Sequence, residues 1–166
     1  APSKAKEREA YEPTEEHNKA VEDITLDVLE AMELPYEVTF EHGDYQRIFL
    51  DVEEDDAGAL IGRRGSGVDA LELIIGRMIN QACHCNVPVQ LDVNHYRERE
   101  HDKLRERALE VAEKVRDEGR EFHFEPMNPR DRRVVHLAIE PLEDLTTFTV
   151  GEGARRHVVV ARVEGD

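Results

Sequence analysis

The chain has 166 residues and a formal net charge of -16, with 36% charged and 39% hydrophobic side chains. That length holds one ordinary domain or two small ones, each able to bury a core. No apolar run approaches the length of a membrane span and no signal peptide is visible, so direct membrane insertion is not expected.

Residues 1–16 are polar, contain Pro2 and Pro13, and read as a flexible arm. From His17 to Leu34 the apolar Ala20, Val21, Ile24, Val28, Leu29 and Met32 recur at helical spacing. Thr14, Glu15 and Glu16 mark a helix start and Pro35 a stop. Alternating runs over 36–41 and 45–52, joined by His42-Gly43-Asp44, predict a hairpin. A short helix over 56–61 then opens into Gly62-Arg63-Arg64-Gly65. The amphipathic stretch 68–82 predicts a helix with Leu71, Ile74, Ile75, Met78 and Ile79 inward, and 87–93 a closing strand. The first module therefore covers residues 17–93 in the order α-β-β-α-α-β.

A second module covers residues 94–166. Tyr96, Leu104, Ala108, Leu109, Val111, Ala112 and Val115 mark the inner face of a helix over 94–118, and Gly119 fits its C-terminal cap. A short strand over 121–125 precedes Pro126-Met127-Asn128-Pro129, where Pro129 starts a helix through Ile139. Strands over 146–150 and 157–163 flank Gly151-Glu152-Gly153, completing the order α-β-α-β-β. The fold class is thus α+β, in two small α/β sandwich modules.

Acidity at first argues against a polyanionic partner, because phosphate affinity comes largely from Lys and Arg. Yet the charge is uneven. Residues 1–56 carry 5 basic and 18 acidic side chains, a net of -13, whereas residues 57–91 carry 3 and 2, a net of +1. Within that neutral stretch lies the glycine-rich segment. Glycines let backbone approach a phosphate, and amides at a following helix start favour an anion. Arg63 and Arg64 offer guanidinium groups for phosphate oxygens, with Leu60, Ile61 and Val68 as apolar walls for unpaired bases. A bare G-x-x-G tetrad is equally a helix-helix turn. Between two helices and flanked by strands in this order, however, Ile61-Gly62-Arg63-Arg64-Gly65 resembles the loop of a type II KH domain. The resemblance implies a loop that clamps the backbone of single-stranded RNA.

In the second module, Arg132 and His136 stand four apart on one helical face, with Arg133 beside them and Val134, Val135 and Leu137 turned toward a core. Such a face can bind phosphate and stack on a base, or His136 can be a structural hydrogen-bonding residue. The surrounding sequence from Glu125 to His136 resembles the R-three-H domain, named for its Arg-x-x-x-His signature, which implies single-stranded nucleic-acid binding. Arg155 and Arg156, before the last strand, extend the basic surface in that resemblance.

The two modules in tandem are similar to the bacterial Jag family, also called EloR or KhpB. That resemblance implies a cytoplasmic, non-catalytic RNA-binding regulator linked to cell elongation and division, paired with a small KH-only protein or with itself. The extra N-terminal Jag domain and long linker of many members are not seen in this sequence, so membrane-associated roles that depend on them are not carried over. Two other readings stand beside it: a protein-interaction adaptor dimerising through the KH module, and a single-stranded DNA binder.

Other chemistry is set aside. Cys83 and Cys85 stand too close for an ordinary disulfide framework, which suits a reducing compartment. Cys83-His84-Cys85 has ligand types for a metal, but no second pair follows at zinc-finger spacing, and His95 or His101 would join only through the fold. Neither metal nor cofactor is expected. Glu53-Glu54-Asp55-Asp56 reads as a solvated run that caps the short helix, and Gly62-x-x-Gly65 lacks the Lys-Ser/Thr of a nucleotide-binding loop.

Overall fold

The computed structural model describes residues 11–163, which divide into two compact units between Arg97 and Glu98. In the first unit, the Thr14 hydroxyl accepts a hydrogen bond from His17 N at 3.2 Å and so starts helix α1 (Glu15–Ala31). Helix α1 ends short of the expected Leu34, because Glu33 turns left-handed at φ 55° ahead of Pro35. Tyr11, expected within the flexible arm, is half-buried against the core, and its hydroxyl accepts from Gln46 Nε2 at 2.7 Å. Residues 1–10 lie outside the described residues.

Strands β1 (Tyr36–Glu41) and β2 (Gln46–Val52) pair antiparallel, from Tyr36 opposite Val52 to Glu41 opposite Arg47. On the other edge of β2 lies β3 (Val89–Val93), parallel, with Gln46 opposite Val89 and Leu50 opposite Val93. A parallel neighbour requires a crossover; α2 (Glu54–Ile61) and α3 (Ser66–Cys83) supply it. Alternation along β2 buries Gln46, Ile48 and Leu50 and exposes Arg47 and Asp51. Val21 and Leu29 of α1 join Val68, Leu71, Ile75 and Ile79 of α3 in the same core. Each such aliphatic side chain contributes about 1.5–3 kcal/mol on burial, against about 1 kcal/mol for a helix cap. Packing therefore dominates here.

The buried stripe of α3 is narrower than its periodicity predicts. Ile74 and Met78, expected inward, are 53% and 41% exposed, and Leu73 is exposed beside them. The core takes only the stripe through Val68, Leu71, Ile75 and Ile79, and those two side chains fall outside it. The acidic run also differs from expectation: Glu53 makes no side-chain cap, whereas Glu54, Asp55 and Asp56 sit in the first turn of α2. Carboxylates there favour the helix through its dipole.

The end of the first unit is a built corner. Asn94 and His95 are left-handed at φ 48° and 55°, and the Asn94 amide bridges Val52 N and O at 2.8 and 2.9 Å. Arg97 then turns back, pairing with Asp69 at 2.5 Å and with Glu72, and donating to Leu91 O at 2.8 Å. Glu72 also accepts from Leu91 N at 2.8 Å, so one carboxylate ties α3 to β3 and to Arg97.

Helix α4 (Tyr96–Glu118) supplies Ala108, Val111, Ala112 and Val115 to the core of the second unit. Leu109, expected inward, is 43% exposed, one position off that stripe. Gly119 follows at φ 68° and donates to Val115 O at 3.0 Å, as its cap position requires. The sheet of this unit has the order β4-β6-β5, antiparallel throughout, from β4 (Phe122–His123), β5 (Leu145–Val150) and β6 (His157–Arg162). Helix α5 (Pro129–Ile139) inserts Val135 and Ile139 into its core, while Leu137, expected inward, is 52% exposed. The element order is α-β-α-β-β, and the α+β class read from the sequence holds.

Candidate nucleic-acid interface

Two places carry the expected site residues, one in each unit. In the first, α2 ends at Gly62, whose φ of 67° and ψ of -171° define a backbone region essentially restricted to glycine. A short 3-10 turn, Arg63–Gly65, follows, with Arg64 at φ 51° and Gly65 at φ 78° before α3 begins. Gly65 is buried, and a Cβ there would stand 2.8 Å from the Tyr96 ring. The turn thus presses its backbone onto Tyr96 and leaves the Arg63 and Arg64 side chains exposed. Ile61 and Leu60 are half-buried and packed on the core. Val68, expected as a groove wall, is fully buried and cannot meet a base.

Sequence reasoning missed Gly67. A Cβ there would lie 2.0 Å from Leu60 O, so only glycine lets α3 cross this closely over the end of α2. The available signal was a third glycine in the run Gly62-Arg63-Arg64-Gly65-Ser66-Gly67.

In the second unit, Asn128 caps α5 by accepting from Asp131 N at 2.9 Å, with Pro129 in the first turn. This start orients Arg132 and His136. Arg132 Nη1 donates to Met127 O at 2.7 Å. His136 reaches β5, where Nδ1 contacts Thr147 Oγ1 at 2.7 Å and Nε2 contacts Thr149 Oγ1 at 3.2 Å. Both threonines were missed, although the alternation Thr147-Phe148-Thr149 places them on one strand face. An open cleft of about 610 Å³ is lined by Arg132, Arg133, His136, Leu137, Thr146 and Thr147. A second cleft of about 470 Å³ joins Arg132 to Arg156, Met127 and Asn128. Arg132 therefore stands between the two. Arg155 is exposed in the 3-10 turn Gly153–Arg155 and lines neither of these clefts.

Burial first, and the nearby Arg132 charge second, hold the His136 pKa below its ordinary value. With a neutral imidazole, one nitrogen donates to a threonine and the other accepts. Its edge is thus occupied, which leaves the ring face for stacking. The unfolded chain takes up this proton more readily than the folded one. The His136 contribution to stability is therefore present above about pH 6.5 and lost as pH falls through the folded value. His42 has the opposite sign: its hydrogen bond to Gln46 raises its pKa, burial lowers it, and Glu22 at 2.7 Å raises it again, with a net upward shift. That contribution is present below about pH 6.5 and lost as pH rises through the folded value. In an NMR titration of the ring protons, His42 is expected to titrate above about 6.5 and His136 below it. The reverse order would contradict the hydrogen bonds of His42 and the burial of His136 beside Arg132.

Comparison with known proteins bears on both units. The R-three-H domain model matches residues 102–162, which carry the Arg132/His136 cleft. The chain is 32% identical over 145 residues to "RNA-binding protein KhpB" of Clostridium symbiosum, covering 87% of this chain and 65% of that protein. The chain is thus related to the KhpB (Jag) proteins. Two further relatives match less closely: the KhpB proteins of Streptococcus pneumoniae strain D39 and Bacillus subtilis strain 168 are 29% and 28% identical over 119 and 109 residues. Those matches cover 70% and 64% of this chain but only 36% and 52% of the two relatives. The chain thus spans less than two-thirds of the length of these relatives. Among the described residues, no helix is long and apolar enough to cross a membrane.

Proposed function

We propose that this chain is a non-catalytic, single-stranded RNA-binding regulator that grips the strand with two basic surfaces. The observation that carries this reading is the Arg132, Arg133 and His136 cleft, built on an R-three-H domain in a chain related over 87% of its length to a protein named RNA-binding. The first unit supports it: the order α-β-β-α-α-β with a parallel third strand fits a type II KH domain, and Gly62–Gly65 presents Arg63 and Arg64. In that assignment the loop amides, Arg63 and Arg64 hold phosphates, and half-buried Ile61 borders the bases. In the R-three-H unit Arg132 and Arg133 hold phosphate while the His136 face stacks, with Arg156 on the adjoining cleft and Arg155 exposed in the preceding turn. A cytoplasmic role in elongation or division, and a KH-only partner, belong to the same proposal.

The exposed arginines make the cleanest test, since their removal leaves the cores intact. Arg63→Gln with Arg64→Gln, and separately Arg133→Gln with Arg156→Gln, should each reduce the slope of log affinity against log salt. Two lost phosphate contacts correspond to a change of about 1.4 on an unstructured RNA. Unchanged slopes and affinities in both pairs would exclude these surfaces. Matched RNA and DNA oligomers separate the two nucleic acids, because only RNA offers the 2′-hydroxyl. One observation favours a second reading: exposed Leu73, Ile74 and Met78 on α3 offer an apolar face to a like module. Nuclease-resistant association without RNA affinity would select that adaptor role instead.

A further inference from the structure

Outside both basic surfaces, the fold brings together three metal-ligating side chains, one of them far from the others in sequence. His17 lies in the first turn of α1, Cys83 is the last residue of α3, and Cys85 stands in the connection to β3. One ligand atom from each lies within 4.8 Å of the others, and His17 Nε2 stands 3.4 Å from Cys85 Sγ. A tetrahedral zinc with usual Zn–S and Zn–N bonds sets sulfur and nitrogen about 3.6 Å apart. The cluster is thus close to the spacing such an ion needs.

Local structure explains how the ligands meet. His84 is left-handed at φ 52° and ends α3, turning the chain so that Cys83 and Cys85 serve one point. The Thr14 cap fixes the backbone of His17, and the Tyr11 ring lies 5.4 Å from the imidazole. His17 Nδ1 is buried without a hydrogen-bond partner, so the ring makes its polar contact through Nε2, toward the sulfur. By sequence alone, His95 or His101 could join the cysteines only through the fold; packing of α1 against α3 brings His17 instead.

We propose that His17, Cys83 and Cys85 form a zinc site that ties the start of α1 to the connection between α3 and β3. Two thiolates and an imidazole suit zinc, whereas carboxylate-rich sites suit magnesium or calcium. Three protein ligands leave the fourth position to water. On binding, the metal takes the electron pairs of both sulfurs and of Nε2, and the thiol protons pass to solvent.

Cobalt(II) titration of the full chain, reduced and free of any affinity tag, tests this, with zinc added afterwards as competitor. The expected result is visible absorption of tetrahedral, thiolate-bound cobalt that saturates at one ion per chain and is abolished by zinc. Cys85→Ser and His17→Gln should each weaken binding by at least about tenfold, the lower bound for losing even an outer partner of a metal ligand. His84→Gln should bind as the parent does. Cys85 is exposed, so its substitution spares the core, and circular dichroism confirms folding of each variant. Absence of the absorption, equal binding by Cys85→Ser, or loss in His84→Gln with retention in His17→Gln would overturn the assignment.

Discussion

Gly67→Ala lowers the stability of the first unit by about 3 kcal/mol, the upper part of the range for overpacking a close contact. The added methyl would sit 2.0 Å from Leu60 O, and its neighbour is backbone, so the end of α2 must move away from α3. Such a movement also displaces Gly62–Gly65, which lies between those two helices. Weaker RNA binding should therefore accompany the loss, even though no charge has changed. Gly58→Ala is the matched control: nothing lies within 4 Å of a Cβ there, and helix propensity favours alanine by about 0.5–1 kcal/mol. Chemical unfolding should show the same substitution acting in opposite directions at two sites in this region. Comparable stability for the two variants would contradict the close helix crossing.

Arg97→Ala is the second large effect, at about 3 kcal/mol of destabilisation, the low end for breaking a buried pair. The Arg97 and Glu72 side chains are only 15% and 14% exposed, whereas Asp69 is 64% exposed. Removing the guanidinium leaves Glu72 uncompensated in the interior, while Asp69 returns to water. Leu91 O, on the outer edge of β3, also loses its donor. Substituting both Arg97 and Glu72 by apolar residues should recover part of the loss, because the unpaired charge is then gone. A double variant as unstable as Arg97→Ala alone would show that the backbone bonds to Leu91, rather than the pair, hold the corner.

These two effects alter how the glycine loop is best probed. Gly62 occupies a glycine-only backbone region and Gly65 abuts Tyr96, so an aspartate at either position disturbs the fold as well as any phosphate contact of the kind proposed. The exposed Arg63 and Arg64 separate binding from folding. Arg132 is similarly double-edged, since it also holds Met127 O, and for that reason Arg133 and Arg156 carry the test in the second unit.

Periodicity and punctuation made most elements legible before any coordinates. Thr14 caps α1, Pro129 starts α5, Gly119 ends α4, and alternation marks β1 and β2; all of these act within a few residues of themselves. The Gly62–Gly65 and Arg132/His136 motifs were equally readable, because loop backbone and a four-residue helical step are local properties. What the chain order could not specify was which apolar residues lack a partner. Ile74, Met78, Leu109 and Leu137 match helical periodicity yet stand exposed, since burial depends on what packs across from them. The same limit hid the threonines that occupy His136, the Leu60 carbonyl that demands Gly67, and His17 beside the two cysteines. Sequence by itself determined the order of elements and the two basic motifs. Tertiary structure alone decided which side chains meet, because contacts between residues far apart in the chain arise only when separate elements pack together.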